Sequence, residues 1–313
     1  LNFPLLFRFL GTICLLIGVS MSISLPFALP GVAERTHLPA TATLEVDGVF
    51  GLLASMSVCF ITGLAFRFLG RHHRSGAPLY AKEAMAIVGL SWVLATVLGA
   101  LPYYLSGTQI ATDSPITFIE AMFESQSGFS TTDATVLTDL ESPDLVPHCI
   151  LFWRSWTHFL GGLGIVVLFV AILGQGSAGK AMMRAEMPGP TKEGSMPRMQ
   201  HTALVFAAIY VGLNAILTVI YAIEGMSLFD AMCHAFGTMA TGGFSTYNRS
   251  LGGFDSGLIE FTTIAFMILA GTNFTLLYLS LIGRPARLFR DVEFRAFCGI
   301  IGLVTVGVVF FGM

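Results

Sequence analysis

The segment Glu120-Ala-Met-Phe-Glu-Ser-Gln-Ser-Gly-Phe-Ser-Thr-Thr-Asp133 has a second copy in Asp230-Ala-Met-Cys-His-Ala-Phe-Gly-Thr-Met-Ala-Thr-Gly-Gly243. Each opens on acid-Ala-Met and leads into Gly-Phe-Ser-Thr, at 128–131 in the first copy and 243–246 in the second. Both lie between long apolar runs, so the repeating unit reads as helix, short re-entrant segment, helix. Irregular backbone at membrane depth is tolerated only where protein buries it or where it lines a watery path. A Thr-, Ser- and Gly-rich strand there can turn its carbonyls onto a dehydrated cation. The layout points to an ion pore.

Composition agrees with a bilayer setting. Hydrophobic residues make up 54% of the chain and charged ones 11%, against about 25% charged in a soluble domain. A net charge of −3 gives no footprint for nucleic acid. The five cysteines (Cys14, Cys59, Cys149, Cys233 and Cys298) are dispersed in or beside apolar runs without CxxC pairing. That pattern fits neither a disulfide framework nor a zinc site, and they read as packing residues.

Apolar runs near the ~20 residues that cross a bilayer fall at 9–29, 48–69, 84–105, 150–174, 201–223, 257–282 and 297–313. The helical parts of the two repeat segments, 114–126 and 226–239, are too short to span and read as re-entrant helices. With the N-terminus in the cytoplasm, the cytoplasmic stretches hold Arg8; Arg67, Arg71, Arg74 and Lys82; Lys180, Arg184, Lys192 and Arg198; and Arg284, Arg287, Arg290 and Arg295. Only Arg35, Arg154 and Arg249 of the 16 basic residues fall outside. This bias sets the orientation, and both re-entrant segments then enter from the outer side. The first run has no clear cleavage site and more spans follow it, so it reads as a retained helix rather than a signal peptide. The chain opens on Leu1 and ends at Met313 inside an apolar run, which reads as part of a longer protein.

In these residues the chain resembles the Trk/Ktr/HKT superfamily of potassium transporters, and within it the bacterial Trk membrane subunit. The resemblance rests on 123–137 and Ala-Thr-Gly-Gly-Phe-Ser-Thr (240–246), with Leu-Gly-Gly-Leu-Gly-Ile (160–165), Arg-Ala-Glu-Met-Pro-Gly-Pro (184–190), Gly-Thr-Asn-Phe (271–274) and Arg-Asp-Val-Glu-Phe-Arg (290–295). It implies an all-α integral membrane protein of repeated helix–pore loop–helix units around one pore. This chain would supply two leading helices (1–75), a first unit (76–180), a second unit (181–288) and the first helix of a third (289–313). The third and fourth pore loops are absent from it, and two loops cannot surround an ion on four sides.

The resemblance further implies K⁺ uptake through a filter of backbone carbonyls at Thr131, Thr132, Asp133, Thr241, Gly242 and Gly243, with K⁺ as the transported ion and no cofactor in this chain. It implies a multi-pass protein of the bacterial inner membrane, a homodimer, and a cytoplasmic ring of nucleotide-binding regulatory subunits. Basic stretches at 180–198 and 284–295 would dock that ring. Counted without a gap from the acid of each repeat, Asp133 and Gly243 coincide. The family usually has Gly there, sometimes Ser in the first loop. Asp visits the left-handed region tolerably, so the turn can survive, while a carboxylate beside the ion path opens the alternative of Na⁺ or mixed permeation. A chain that only packs against other subunits is the alternative from another class. No nucleophile–base or metal constellation of an enzyme is legible.

Other residues read as support. Leu160-Gly-Gly-Leu-Gly-Ile lies within a span and suits close helix packing. Glu120 and Glu124 face a watery vestibule or cap the pore helix. The histidines show no metal-ligand spacing. Arg154 begins a span and needs a carbonyl or acid partner.

The orientation is testable by labelling. Single cysteines placed in 70–83, 175–200 or 283–296 should resist an impermeant thiol reagent added outside, and one near Ser142 should react. The opposite pattern would invert the topology and move both re-entrant segments to the cytoplasmic side.

Overall fold

Two apolar helices open the chain and cross closely because glycine lies at their contact. Helix α1 (Phe3–Met21) starts at Asn2, whose side chain caps the first turn, with Pro4 inside it. Helix α2 (Val46–Leu69) returns beside it. A Cβ on Gly11 would lie 2.7 Å from the Gly63 carbonyl, and one on Gly63 would lie 2.9 Å from the Gly11 carbonyl. Lipid tails are as apolar as side chains, so such pairs associate by close packing rather than by escape from water. The computed structural model describes residues 2–38, 43–71, 81–164 and 196–312.

Between α1 and α2 the chain makes a 3-10 helix (Ser22–Ala28) that presents Phe27 to the next unit. Its ring stacks on Phe152 at 3.9 Å between centroids and leans on Phe229 at 5.6 Å. Glu45, just before α2, accepts from the His148 and Cys149 N–H groups and meets His148 Nδ1 at 2.6 Å. A carboxylate at a helix N-terminus satisfies orphan donors and complements the dipole. The leading pair is thereby fixed to helix α5 (His148–Gly162).

Helix α3 (Ala81–Leu105), short helix α4 (Phe118–Phe129) and α5 form one helix–short helix–helix arrangement. Helices α6 (Met196–Ile223), α7 (Leu228–Met239) and α8 (Gly257–Ala270) repeat it. Aromatic rings of α5 and α7 (Phe152, Trp156, Phe159 and Phe236) interleave where the two arrangements meet. Helices α9 (Phe274–Leu281), α10 (Ala286–Arg290) and α11 (Val292–Phe311) follow. Among the described residues, five helices are long and apolar enough to cross a membrane: Phe3–Ala28, Val46–Leu69, Met85–Leu105, Ala203–Ile223 and Val292–Phe311. The fold is an all-α membrane architecture. One small departure is a hairpin, β1 (Gln109–Ala111) with β2 (Ser114–Pro115), in the loop before α4.

Two expectations need correction. The run 257–282 is not one straight span, because α8 and α9 meet at 101°. Helix α8 ends on Gly271, and the Asn273 side chain accepts from Thr275 N–H to start α9, so a polar cap replaces a continuing helix turn. The first re-entrant helix begins at Phe118 rather than 114, because Thr117 and Glu120 form a capping box there. In the run 150–174, the helix is described to Gly162 and residues from 165 onward lie outside the described residues. The Arg184–Pro190 motif, Ile165 of the Leu160 motif, the inter-unit boundaries near 75 and 180, and the loop stretches 72–80 and 165–195 also lie outside them.

The glycine contact between α1 and α2 yields a stability test. Gly63→Val should overpack it and cost about 1–3 kcal/mol, read as a lower thermal unfolding midpoint in detergent. Gly89→Ala, where a Cβ meets nothing within 4 Å, should leave the midpoint unchanged. Equal midpoints for both variants would remove close packing as the basis of the pair.

Candidate functional site

Both short helices end in the same backbone device. After Ser130, Thr131 takes φ +54°, with Thr131 N–H donating to Gly128 O and Thr132 N–H to Ser127 O. After Ala240, Thr241 takes φ +53°, with Thr241 N–H donating to Thr238 O and Gly242 N–H to Gly237 O. These are Schellman closures, which satisfy the helix's last carbonyls. The left-handed position normally belongs to Gly or Asn. A β-branched residue there is a genuine outlier that costs about 1–3 kcal/mol, and such outliers cluster at functional sites. Two residues further on, Asp133 (φ +67°) and Gly243 (φ +121°) are left-handed again.

The backbone therefore supports the register counted from the acids, which pairs Thr131 with Thr241 and Asp133 with Gly243. It overturns the apparent Gly-Phe-Ser-Thr equivalence. Gly128-Phe129 close helix α4, while Gly243-Phe244 lie beyond the end of α7. The two Gly-Phe-Ser-Thr strings occupy different places in the fold.

Among the described residues, none donates a hydrogen bond to the carbonyls of Thr131, Thr132, Asp133, Thr241, Gly242 or Gly243. Further along the second strand, the carbonyls of Ser245 and Thr246 are committed. The Phe244 carbonyl packs on Gly237, where a Cβ would lie 2.8 Å away. Arg154 Nη1 donates to Ser245 O at 3.1 Å, and Arg35 Nη2 donates to Thr246 O. The six expected positions are thus open to a ligand, as are the flanking carbonyls of Ser130, Ala134, Ala240 and Phe244, which accept from no described residue either, and the C-terminal, partially negative ends of α4 and α7 lie beside them.

Each strand is braced from behind by the same position of its helix. Glu124 Oε1 accepts from Thr135 Oγ1 at 2.5 Å and Val136 N–H at 2.6 Å. In the second copy His234 Nε2 meets Ser245 Oγ at 2.9 Å, with Nδ1 against Asp230 O. Glu124 is fully buried and pairs with Arg154 Nε at 3.1 Å. It neither faces a vestibule nor caps the helix, and the capping role belongs to Glu120. Arg154 has both the acid and the carbonyl partner that its place in a span required, and its guanidinium sits 3.4 Å from the Phe244 ring centroid.

The glycines and Asp133 meet tight surroundings. The buried His158 ring lies against Gly242, where a Cβ would approach Nε2 to 2.6 Å, and stands 4.0 Å from the Phe244 ring. The Asp133 carboxylate reaches Gly243, its Oδ2 2.6 Å from where a Cβ would be. The two loops therefore touch at Asp133 and Gly243, the pair that the count from each acid makes equivalent. A cavity beside the second strand is lined by Thr238, Thr241, Gly242, Gly243, Thr263 and Met267, among others. Outside the membrane, the Asn248 side-chain amide and the Glu141 N–H hold the Asp139 carboxylate below its usual range. Among the described residues, no three His, Cys, Asp or Glu side chains converge on a metal position.

Sequence reading missed Glu124 as a brace, His158, His234 and Arg35. Arg35 and Arg154 left one trace, as two of the few basic residues on the outer side.

A sequence model of the TrkH cation transport protein family matches residues 52–313. The Trk system potassium uptake protein TrkG of Escherichia coli K12 is 36% identical over 263 residues, 82% of this chain and 52% of the relative. The potassium uptake protein TrkH of Salmonella typhimurium is 36% identical over 304 residues, 96% of this chain and 58% of the relative. The crystal structure of the potassium transporter TrkH from Vibrio parahaemolyticus superposes with a TM-score of 0.76 at 31% identity, covering 97% of this chain and 57% of that one. The chain spans about half the length of the curated relatives it matches. On these grounds the chain belongs to the TrkH family of cation transport proteins, a family of transporters rather than enzymes.

Proposed function

We propose that this chain supplies two strands of a cation filter in a K⁺ uptake protein. The observation that carries the reading is the pair of matching closures with left-handed Thr131 and Thr241, after which the carbonyls of Thr131, Thr132, Asp133, Thr241, Gly242 and Gly243 accept from no described residue, while those of Ser245 and Thr246 are held by arginines. Thr132, Asp133, Thr241 and Gly243 are exposed and Thr131 and Gly242 half-buried in this chain, so their carbonyls are accessible to an ion, and a row of carbonyls suits a partly dehydrated cation. Relatives that bear the name potassium uptake protein favour K⁺ as that ion.

On this reading, further strands complete the ring around the ion. The chain divides into leading helices (1–75), two pore units (76–180 and 181–288) and the start of a third (289–313). The protein sits in the bacterial inner membrane as a homodimer with its N-terminus in the cytoplasm. Basic stretches at 180–198 and 284–295 dock a cytoplasmic nucleotide-binding regulatory ring.

Asp133 favours a second reading, Na⁺ or mixed Na⁺/K⁺ permeation. Its carboxylate, beside Gly243, adds a hard anionic ligand that carbonyls alone do not provide, and a stronger field favours the smaller ion. A chain that merely packs against other subunits is the weaker alternative, because it leaves two left-handed threonines at matching positions without a reason.

Uptake measurements on the full-length protein, in cells lacking their own K⁺ uptake, test both readings. Asp133→Gly should sharpen K⁺ over Na⁺ discrimination, and an unchanged ratio would turn Asp133 away from the ion path. Gly243→Ala forces a Cβ into a left-handed position against the Asp133 carboxylate. It should reduce the K⁺/Na⁺ uptake ratio about tenfold, equivalent to about 1.4 kcal/mol, with normal membrane insertion. Retained discrimination would exclude this glycine from the filter.

A further inference from the structure

The turn after the first 3-10 helix belongs to neither pore unit, yet it reaches the heart of both. Arg35 is buried there, far from the strands in sequence. Its Nη1 donates to Leu140 O at 3.0 Å and Glu141 O at 3.3 Å in the first loop, and its Nη2 donates to Thr246 O in the second. The guanidinium lies 4.8 Å from the Tyr247 ring centroid, and Nε is 4.0 Å from Asp230 Oδ1. One planar group therefore holds the outer ends of both candidate filter strands.

Thr36 extends the hold to the second pore helix. Its N–H donates to Asp230 Oδ2 at 2.7 Å, and its Oγ1 accepts from Ser227 N–H at 2.7 Å. Tyr247 Oη donates to the Thr36 carbonyl. The comparison with the first pore helix explains the arrangement. There Glu120 reaches back to Thr117 N–H at 2.8 Å and closes a capping box. In α7 the acid is Asp230, one methylene shorter, and its carboxylate is taken by Thr36 N–H, Thr246 Oγ1, Ser227 Oγ and Tyr247 Oη. The Ser227 N–H would be orphaned without the Thr36 hydroxyl.

We propose that the leading helix pair is part of the selectivity device, with Arg35 and Thr36 acting as positioning residues that clasp the two filter strands and the start of the second pore helix in register. The inference rests on the filter reading above. Arginine suits the task because its fork donates along separate directions, which a lysine ammonium does not reproduce. Asp230 balances the charge, so the clasp sets geometry without adding net positive charge beside a cation path. A second strap runs directly between the loops. Asn248 Oδ1 accepts from Leu140 N–H at 2.8 Å, its Nδ2 donates to Asp139 Oδ1, and its N–H donates to Glu141 Oε1. The clasp matters only if that strap does not suffice alone.

The test is competitive K⁺ and Na⁺ uptake by the full-length protein, with membrane abundance measured in parallel. Arg35→Lys keeps the charge and the Asn248 strap but loses the fork. It should lower the K⁺/Na⁺ ratio about tenfold at unchanged abundance, a change that a merely structural residue would not produce. An unchanged ratio overturns the clasp and assigns the register to Asn248. Should Arg35→Lys fail to reach the membrane, Thr36→Val decides, since it is nearly isosteric and removes only the acceptor of the Ser227 N–H. A lowered ratio in that variant supports the clasp, and an unchanged one overturns it. Lack of K⁺ preference in the unsubstituted protein would overturn the filter reading, and the clasp with it.

Discussion

A buried charge pair, Arg154 with Glu124, is the constraint on which the candidate site depends. Neither side chain has water to fall back on, and breaking such a pair by removing one partner costs about 3–5 kcal/mol. Arg154 stands on α5, Glu124 on the pore helix α4, and the Arg154 Nη1 bond ends on Ser245 O in the second strand. The other oxygen of Glu124 holds Thr135 and Val136 of the first strand. One compensated pair thus ties α5, the short helix α4 and both strands. The balance also suits the proposed cation path, because an isolated guanidinium beside it would repel the ion.

Strain and satisfaction alternate along the strands. The Schellman closures spend the N–H groups of Thr131, Thr132, Thr241 and Gly242 on helix carbonyls. The carbonyls of these residues are left open. Holding threonine left-handed at both closures is unfavourable, and it persists because the surroundings fix it: Glu124 and His234 behind the strands, arginines at carbonyls 245 and 246, and the His158 ring against Gly242. The same crowding explains the glycines. Gly242 has an imidazole where a Cβ would be, and Gly243 combines a left-handed φ with the Asp133 carboxylate.

The sequence by itself determined the membrane class, the helix–short helix–helix repetition and the register of the two strands. Those features are local: apolar runs of spanning length, an acid near the start of each short helix, and small polar residues after it. It also set Asp133 where the second copy has Gly243, since that comparison needs only a count from Glu120 and Asp230. Tertiary structure decided the rest. The 101° break at 271–273 follows from an Asn cap that hydropathy alone does not register. The two Gly-Phe-Ser-Thr strings proved inequivalent because helix closure, not string identity, sets where a strand begins. Glu124, His158, Arg35 and Arg154 acquire their roles from partners far away in the chain, up to the separation between Arg35 and Thr246. A local pattern records the periodicity of its own backbone; which buried charge meets which carbonyl is fixed only when distant helices pack and water is excluded.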